Sequence, residues 1–204
     1  MTYLFIIITV LISIVAFFNK PLFYRMQFNP YAIRHRNEWF RFVTYGLIHV
    51  NWIHLLINMF VLLSFGLFVE SSYREYFESK GSLYYVLLYA GGIIFSVLYD
   101  YGKHRNDEYY NAVGASGAVS AIVFTYILFN PAGKLYLYFI PIGIPAVIFG
   151  AIYLVYSAYM ARRGSDHVGH YAHFWGAVFG IVFTILLKPA ILVNFYHQIA
   201  GMIR

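Results

Sequence analysis

Apolar residues in this chain come in long blocks, with polar residues confined to the gaps between them. At about 20 apolar residues per bilayer crossing, the blocks near 2–18, 47–69, 82–99, 114–129, 135–160 and 171–188 predict six transmembrane helices, with both termini on one side. The connections are unequal: a long one from Asn19 to Gly46, a charged one from Glu70 to Gly81 and a polar one from Asp100 to Val113, then short ones at Asn130–Lys134 and Ala161–His170. In the tail, 189–204, Ile191, Leu192, Phe195, Ile199 and Met202 recur at helical spacing, which predicts an interfacial surface helix. Residues 1–204 read as a single all-α membrane domain.

The first block resembles a secretory signal in length, but it has no basic leader and no small-residue cleavage pattern, and Lys20-Pro21 ends it abruptly. A retained first span is therefore expected. Pro141 and Pro145, with Gly143 and Gly150 nearby, predict a kinked, weakly packed fifth span.

Composition strengthens the membrane reading, since 61% of residues are hydrophobic and 11% charged, whereas soluble domains carry about a quarter charged. The net charge of +6 could suggest nucleic acid. Its carriers, however, sit in short loops among aromatic residues, the usual lining of a membrane interface. The lipid bilayer is thus the expected partner, and nucleic acid is not. In the first connection Lys20, Arg25, Arg34, Arg36 and Arg41 alternate with Phe23, Tyr24, Phe28, Tyr31, Trp39 and Phe40, which predicts a folded segment lying in the headgroups. Connections one, three and five carry nine of the fourteen Lys and Arg residues. A literal positive-inside count would put the N-terminus outside, but five of the nine belong to the interfacial segment, so charge alone leaves orientation open.

Every Asp and Glu falls in a connection or at a span end, which disfavours ion-coupled transport and aspartyl catalysis. The absence of cysteine removes thiolate chemistry. The polar side chains left inside spans include His54, Asn58, Ser116, Ser120 and His173. Spans two, four and six run the same way, so His54, Asn58, Ser116 and His173 arrive at similar depth on one side. With Asn130 at the far interface, Ser116 lies about 21 Å above it in a core of about 30 Å, hence roughly 10 Å below the near surface. The polar connection before it must then dip inward and line a wet cavity.

A serine hydroxyl needs a base to become a nucleophile, and the candidates within spans are His54 and His173. Gly176 and Gly180 follow His173 on a small-residue face that lets span six approach span four closely, bringing Ser116 and His173 together as a dyad. His54 and Asn58, one turn apart, point the same way. With the backbone N–H of Ser116 they make an oxyanion hole. The plainer readings are a packing serine and interhelical hydrogen bonds. Ser120 lies one turn deeper and further from water, and His49 reads as structural. His167, His170 and His173, with Asp166, form an H-x-x-H-x-x-H series, but spacing at i and i+3 without the partner acid of an H-E-x-x-H motif is a weak metal signal. No metal or cofactor is expected.

In this order and on these spans, His54-x-x-x-Asn58, Gly114-x-Ser116-Gly117 and Ala172-His173-x-x-Gly176-x-x-x-Gly180 resemble the rhomboid intramembrane serine proteases. The likeness covers nearly the whole chain. Phe40-Arg41 is similar to the family's Trp-Arg segment, with Phe in place of Trp. Many members carry a Tyr one turn after the nucleophile, stacked on the catalytic His; Ser120 stands here, so a hydrogen bond from Ser120 or a water is expected to replace the stacking. The resemblance implies a six-helix rhomboid bundle with an interfacial first loop. It implies Ser116 as nucleophile, His173 as general base, and His54 and Asn58 as oxyanion donors. Single-pass transmembrane proteins would be the substrates, admitted laterally between spans two and five, with span five mobile. It also implies a multi-pass protein of a bacterial inner membrane with cytoplasmic termini. Two other classes stand beside this reading: an inert relative that binds membrane clients, and a small transporter, which would need a through-path and an intramembrane acid.

Overall fold

A computed structural model describes residues 1–136, 143–163 and 169–203 of the chain. Eleven α-helices are described: α1 (Thr2–Phe18), α2 (Lys20–Met26), α3 (Pro30–Arg36), α4 (Arg41–Thr44), α5 (Trp52–Phe77), α6 (Gly81–Ser96), α7 (Leu98–His104), α8 (Ser116–Phe129), α9 (Ala146–Arg163), α10 (His170–Leu187) and α11 (Ile191–Ile203). Between α8 and α9, a two-residue β1 (Lys134–Leu135) pairs antiparallel with β2 (Ile144–Pro145). The architecture is all-α.

At the centre stands α8, in which every residue from Gly117 to Thr125 is buried. A helix that is apolar all round belongs in the middle of a bundle, and here α5, α6 and α10 pack around it. Small residues set the spacing. A Cβ on Gly92 of α6 would lie 2.9 Å from Ala118 Cα, while Cβ atoms on Gly176 and Gly180 of α10 would run into the carbonyls of Gly117 and Ala121. Backbone therefore meets backbone on both flanks, the geometry that small residues permit between membrane helices. Deeper along the same seam, Thr184 Oγ1 lies 3.1 Å from Thr125 Oγ1 and 2.8 Å from Tyr73 OH, which ties α10 to α8 and α5. Gly176→Val is expected to cost about 1–3 kcal/mol by overpacking this seam. Thermal unfolding in detergent measures it, and an unchanged midpoint would contradict the packing described.

The outer faces are apolar too. Leu4, Ile7, Leu11 and Val15 on α1, Ile53, Leu56, Phe60, Leu63 and Leu67 on α5, and Ile148, Ile152 and Val155 on α9 are exposed at helical spacing. Exposed stripes of this size need an apolar surrounding. By length and hydropathy, the helical stretch Trp52–His104 and the helix His170–Leu187 can cross a membrane; Thr2–Phe18 and Ser116–Phe129 are apolar but shorter.

Several boundaries differ from the sequence expectation. The helix of the expected second span, α5, begins at Trp52, because the Asn51 side chain accepts from the His54 amide (2.8 Å) and caps it there. It runs on to Phe77, helped by the Glu70–Arg74 pair one turn apart. That of the expected third span, α6, stops at Ser96, and α7 follows at Leu98. The fifth starts at Ala146, eleven residues after the expected 135. Pro145 ends β2 immediately before that helix, so it does not kink the helix, in keeping with proline's tolerance at element starts. Pro141 lies outside the described residues.

The first connection is folded, as expected, into α2, α3, α4 and a 3₁₀ turn at Tyr45–Leu47. Arg41 organises it. Its guanidinium is buried, donating to the carbonyls of Tyr24 (3.0 Å) and Gln27 (2.7 Å) and to the Glu38 carboxylate (2.5 Å). Phe28 and Ala112 exchange backbone hydrogen bonds, which clamps this segment onto the third connection just ahead of α8.

Candidate active site

Ser116 is the first residue of α8, with Ala115 in the capping position and no side-chain cap, so the amides of the first turn are not consumed by a capping group. It is half-buried, whereas Gly114, Ala115 and Gly117 around it are buried. The turn that presents it is held from three directions. Gly114 has φ +115°, a conformation glycine adopts readily, and its amide donates to the Tyr45 carbonyl at 2.9 Å. The ring of His54 lies directly against Gly114, since a Cβ there would sit 2.6 Å from His54 Cε1. Any larger residue at 114 would displace that imidazole.

The third hold is His49, fully buried, which receives the Ala115 amide on Nε2 at 3.4 Å. Its Nδ1 lies 3.0 Å from Ser13 Oγ, and that hydroxyl donates to the Leu47 carbonyl at 2.9 Å. The partners fix the tautomer: Nδ1–H donates to Ser13, and Nε2 accepts from Ala115. The structural reading of His49 is thus made concrete, because it ties the residue before Ser116 to α1. The rings of His49 and His54 meet edge-on at 4.9 Å.

Asn58 is buried one turn below His54, and its Nδ2 donates to the His54 carbonyl at 2.9 Å. An amide NH₂ has two protons, so this bond leaves one for another acceptor. His173 lies in the first turn of α10, half-buried, and its amide donates to the Gly169 carbonyl at 3.0 Å. The α8–α10 contact falls here: a Cβ on Gly117 would lie 3.4 Å from the Ala172 carbonyl, and Gly176 lies against the Gly117 backbone. The residues flanking Ser116 and His173 therefore touch, and His54 lies beside the same turn of α8.

Two features were not legible in the sequence. Ser96 of α6 presses on Gly117 and bonds to Tyr45 OH at 2.9 Å, linking α6 to the turn before Ser116. Tyr153 of α9 brings its ring within 6.3 Å of the His173 ring at 24°, with its hydroxyl 3.4 Å from Ser120 Oγ. The expectation named Ser120 or a water in place of a stacked ring; the structure adds an aromatic ring from another helix beside His173. Only its spacing from Phe149 and Ser157, four residues either side, hinted that Tyr153 faces inward.

Of the histidine series, His170 and His173 meet edge-on at 6.1 Å, while Asp166 and His167 lie outside the described residues. Among the described residues no three metal-binding side chains gather. A cavity of about 560 Å³ opens elsewhere, between the first connection and residues 108–111, and neither Ser116 nor His173 lines it.

An all-α bundle with apolar stripes on its outer faces is a membrane protein, and its polar cluster lies where α8 and α10 begin. The chain belongs to the rhomboid family: a model of the Rhomboid domain matches residues 36–190, most of the chain and all four of these positions. Members of this family are generally intramembrane proteases. A search of curated proteins finds no match.

Proposed function

We propose that this protein is an intramembrane serine endopeptidase that cleaves the transmembrane segments of single-pass membrane proteins. The segments α1, α5, α6, α8, α9 and α10 make six crossings of a bacterial inner membrane, with cytoplasmic termini and α2–α4 in the headgroups. A substrate helix passes between α5 and α9 and unwinds at the start of α8. His173 takes the Ser116 hydroxyl proton as Oγ attacks the scissile carbonyl carbon. His54, Asn58 and the Ser116 amide hold the oxygen that becomes negative. Collapse expels the new amine, which leaves with the proton from His173; water then attacks the acyl-enzyme, and Ser116 is regenerated.

The observation that carries this reading is the backbone contact of Gly117 with Gly176, combined with the His54 ring lying on Gly114. It supports the reading because the glycine turn before Ser116 meets His54, and the residue after Ser116 meets the helix that carries His173. The test is labelling by a serine-reactive fluorophosphonate in detergent or liposomes. Wild type is expected to label and Ser116→Ala is not. Unlabelled wild type that still retains membrane clients would favour the inert relative instead. Asn58→Ala is expected to lower turnover by about 10- to 1,000-fold, as loss of one oxyanion donor does. Unchanged kcat in that variant would remove Asn58 from the chemistry.

A further inference from the structure

We infer that Tyr153 of α9 is a positioning residue for His173, so that the orientation of the imidazole depends on α9 being seated against the bundle. The inference rests on the protease reading. One turn past Ser116, on the same face of α8, Ser120 is small and buried. Tyr153 approaches both residues, with its ring at 6.3 Å and 24° from His173 and its hydroxyl 3.4 Å from Ser120 Oγ. That spacing and tilt fall in the offset-stacked range of aromatic pairs. The Tyr153 ring is itself braced by Phe149 at 6.0 Å and Phe124 at 5.9 Å. His170 closes another side of the imidazole, edge-on at 6.1 Å.

The helix carrying Tyr153 is lightly attached. Among its described residues only Ala146, Gly150 and Ser157 are buried, while Ile148, Ile152, Val155, Tyr156 and Tyr159 face outward. It packs chiefly against α10, the helix that carries His173, and meets α8 at Gly150, where a Cβ would lie against Ile127 and Phe124. Displacing α9 at that seam carries the Tyr153 ring away from His173 and breaks its contact with Ser120. A ring placed on α8 would stay with Ser116 regardless of α9. On α9, it ties the orientation of the imidazole to the seating of that helix, and so couples closure over a substrate to the chemistry.

The experiment compares second-order rates of fluorophosphonate labelling, over a range of pH, for wild type and variants in liposomes. Tyr153→Phe keeps the ring and is expected to label within about 3-fold of wild type. Tyr153→Leu keeps much of the volume and removes the ring; it is expected to label about 10-fold more slowly, with the pH midpoint displaced. Adding Ser120→Tyr to Tyr153→Leu supplies a ring from α8 and is expected to restore most of the rate. Tyr153→Leu labelling at the wild-type rate and midpoint would overturn the inference while leaving the protease reading intact. A slow Tyr153→Leu with an unshifted midpoint and no rescue by Ser120→Tyr marks a packing defect and overturns it equally. Wild type that does not label at all removes the protease reading and this inference with it.

Discussion

Ser116→Ala is expected to reduce cleavage of a single-pass substrate by about ten-thousand-fold or more, while the protein stays folded. The loss is large because the hydroxyl is the atom that bonds to substrate, and nothing nearby replaces it. Ser120 is buried and engaged with Tyr153. The fold should survive, because Ser116 is half-buried and makes no capping bond, whereas the contacts that join α8 to α10 come from Gly117, Gly176, Ala121 and Gly180. The measurement is a cleavage assay with reconstituted protein beside a thermal unfolding curve. Residual cleavage within 10-fold of wild type would show that another group attacks.

The second large effect is expected at His173. His173→Ala should lower kcat by about as much as Ser116→Ala, and the double variant should be scarcely worse than either single one. Nucleophile and base act as a unit, so removing one leaves nothing for the other to assist. Two alternative bases are constrained by their contacts: His49 is consumed by Ser13 and the Ala115 amide, and His54 has its Cε1–Nε2 edge against Gly114. Losses that multiply across the two sites would place His173 outside the reaction and make it a packing residue of α10.

Where the sequence carried strong punctuation, the structure follows it closely. The first helix ends at Phe18, as expected, because Asn19 and Lys20-Pro21 stop it and Asn19 caps the next helix. The start of α8 was legible from Gly114-Ala115-Ser116-Gly117, a tight glycine turn running into an apolar helix. Hydropathy blocks misplace the start of α5, because Ile48 and Val50 extend the apolar run beyond the true cap at Asn51. They misplace the start of α9 more, since residues 135–145 form an apolar run yet include Leu135 of β1 and the whole of β2.

The candidate site divides along the same line. His54 and Asn58 share a face by helical spacing alone, and the glycines of α10 announce a close approach whose partner, the backbone of α8, was a fair inference. Tyr153, Ser96 and the two-ended role of His49 depend on how helices distant in sequence are turned toward one another. No local pattern encodes that. Ser120 shows the limit most clearly: the small residue was visible, and the ring that approaches it was not, because it comes from α9.

The most direct test is to locate the covalent adduct. After fluorophosphonate treatment of the wild-type protein in liposomes, proteolysis and mass spectrometry should find a single phosphonylated residue, Ser116, and its labelling should fall sharply in His173→Ala. An adduct on Ser120 or any other hydroxyl, or labelling of Ser116 that is indifferent to His173, would contradict a catalytic pair formed where α8 meets α10.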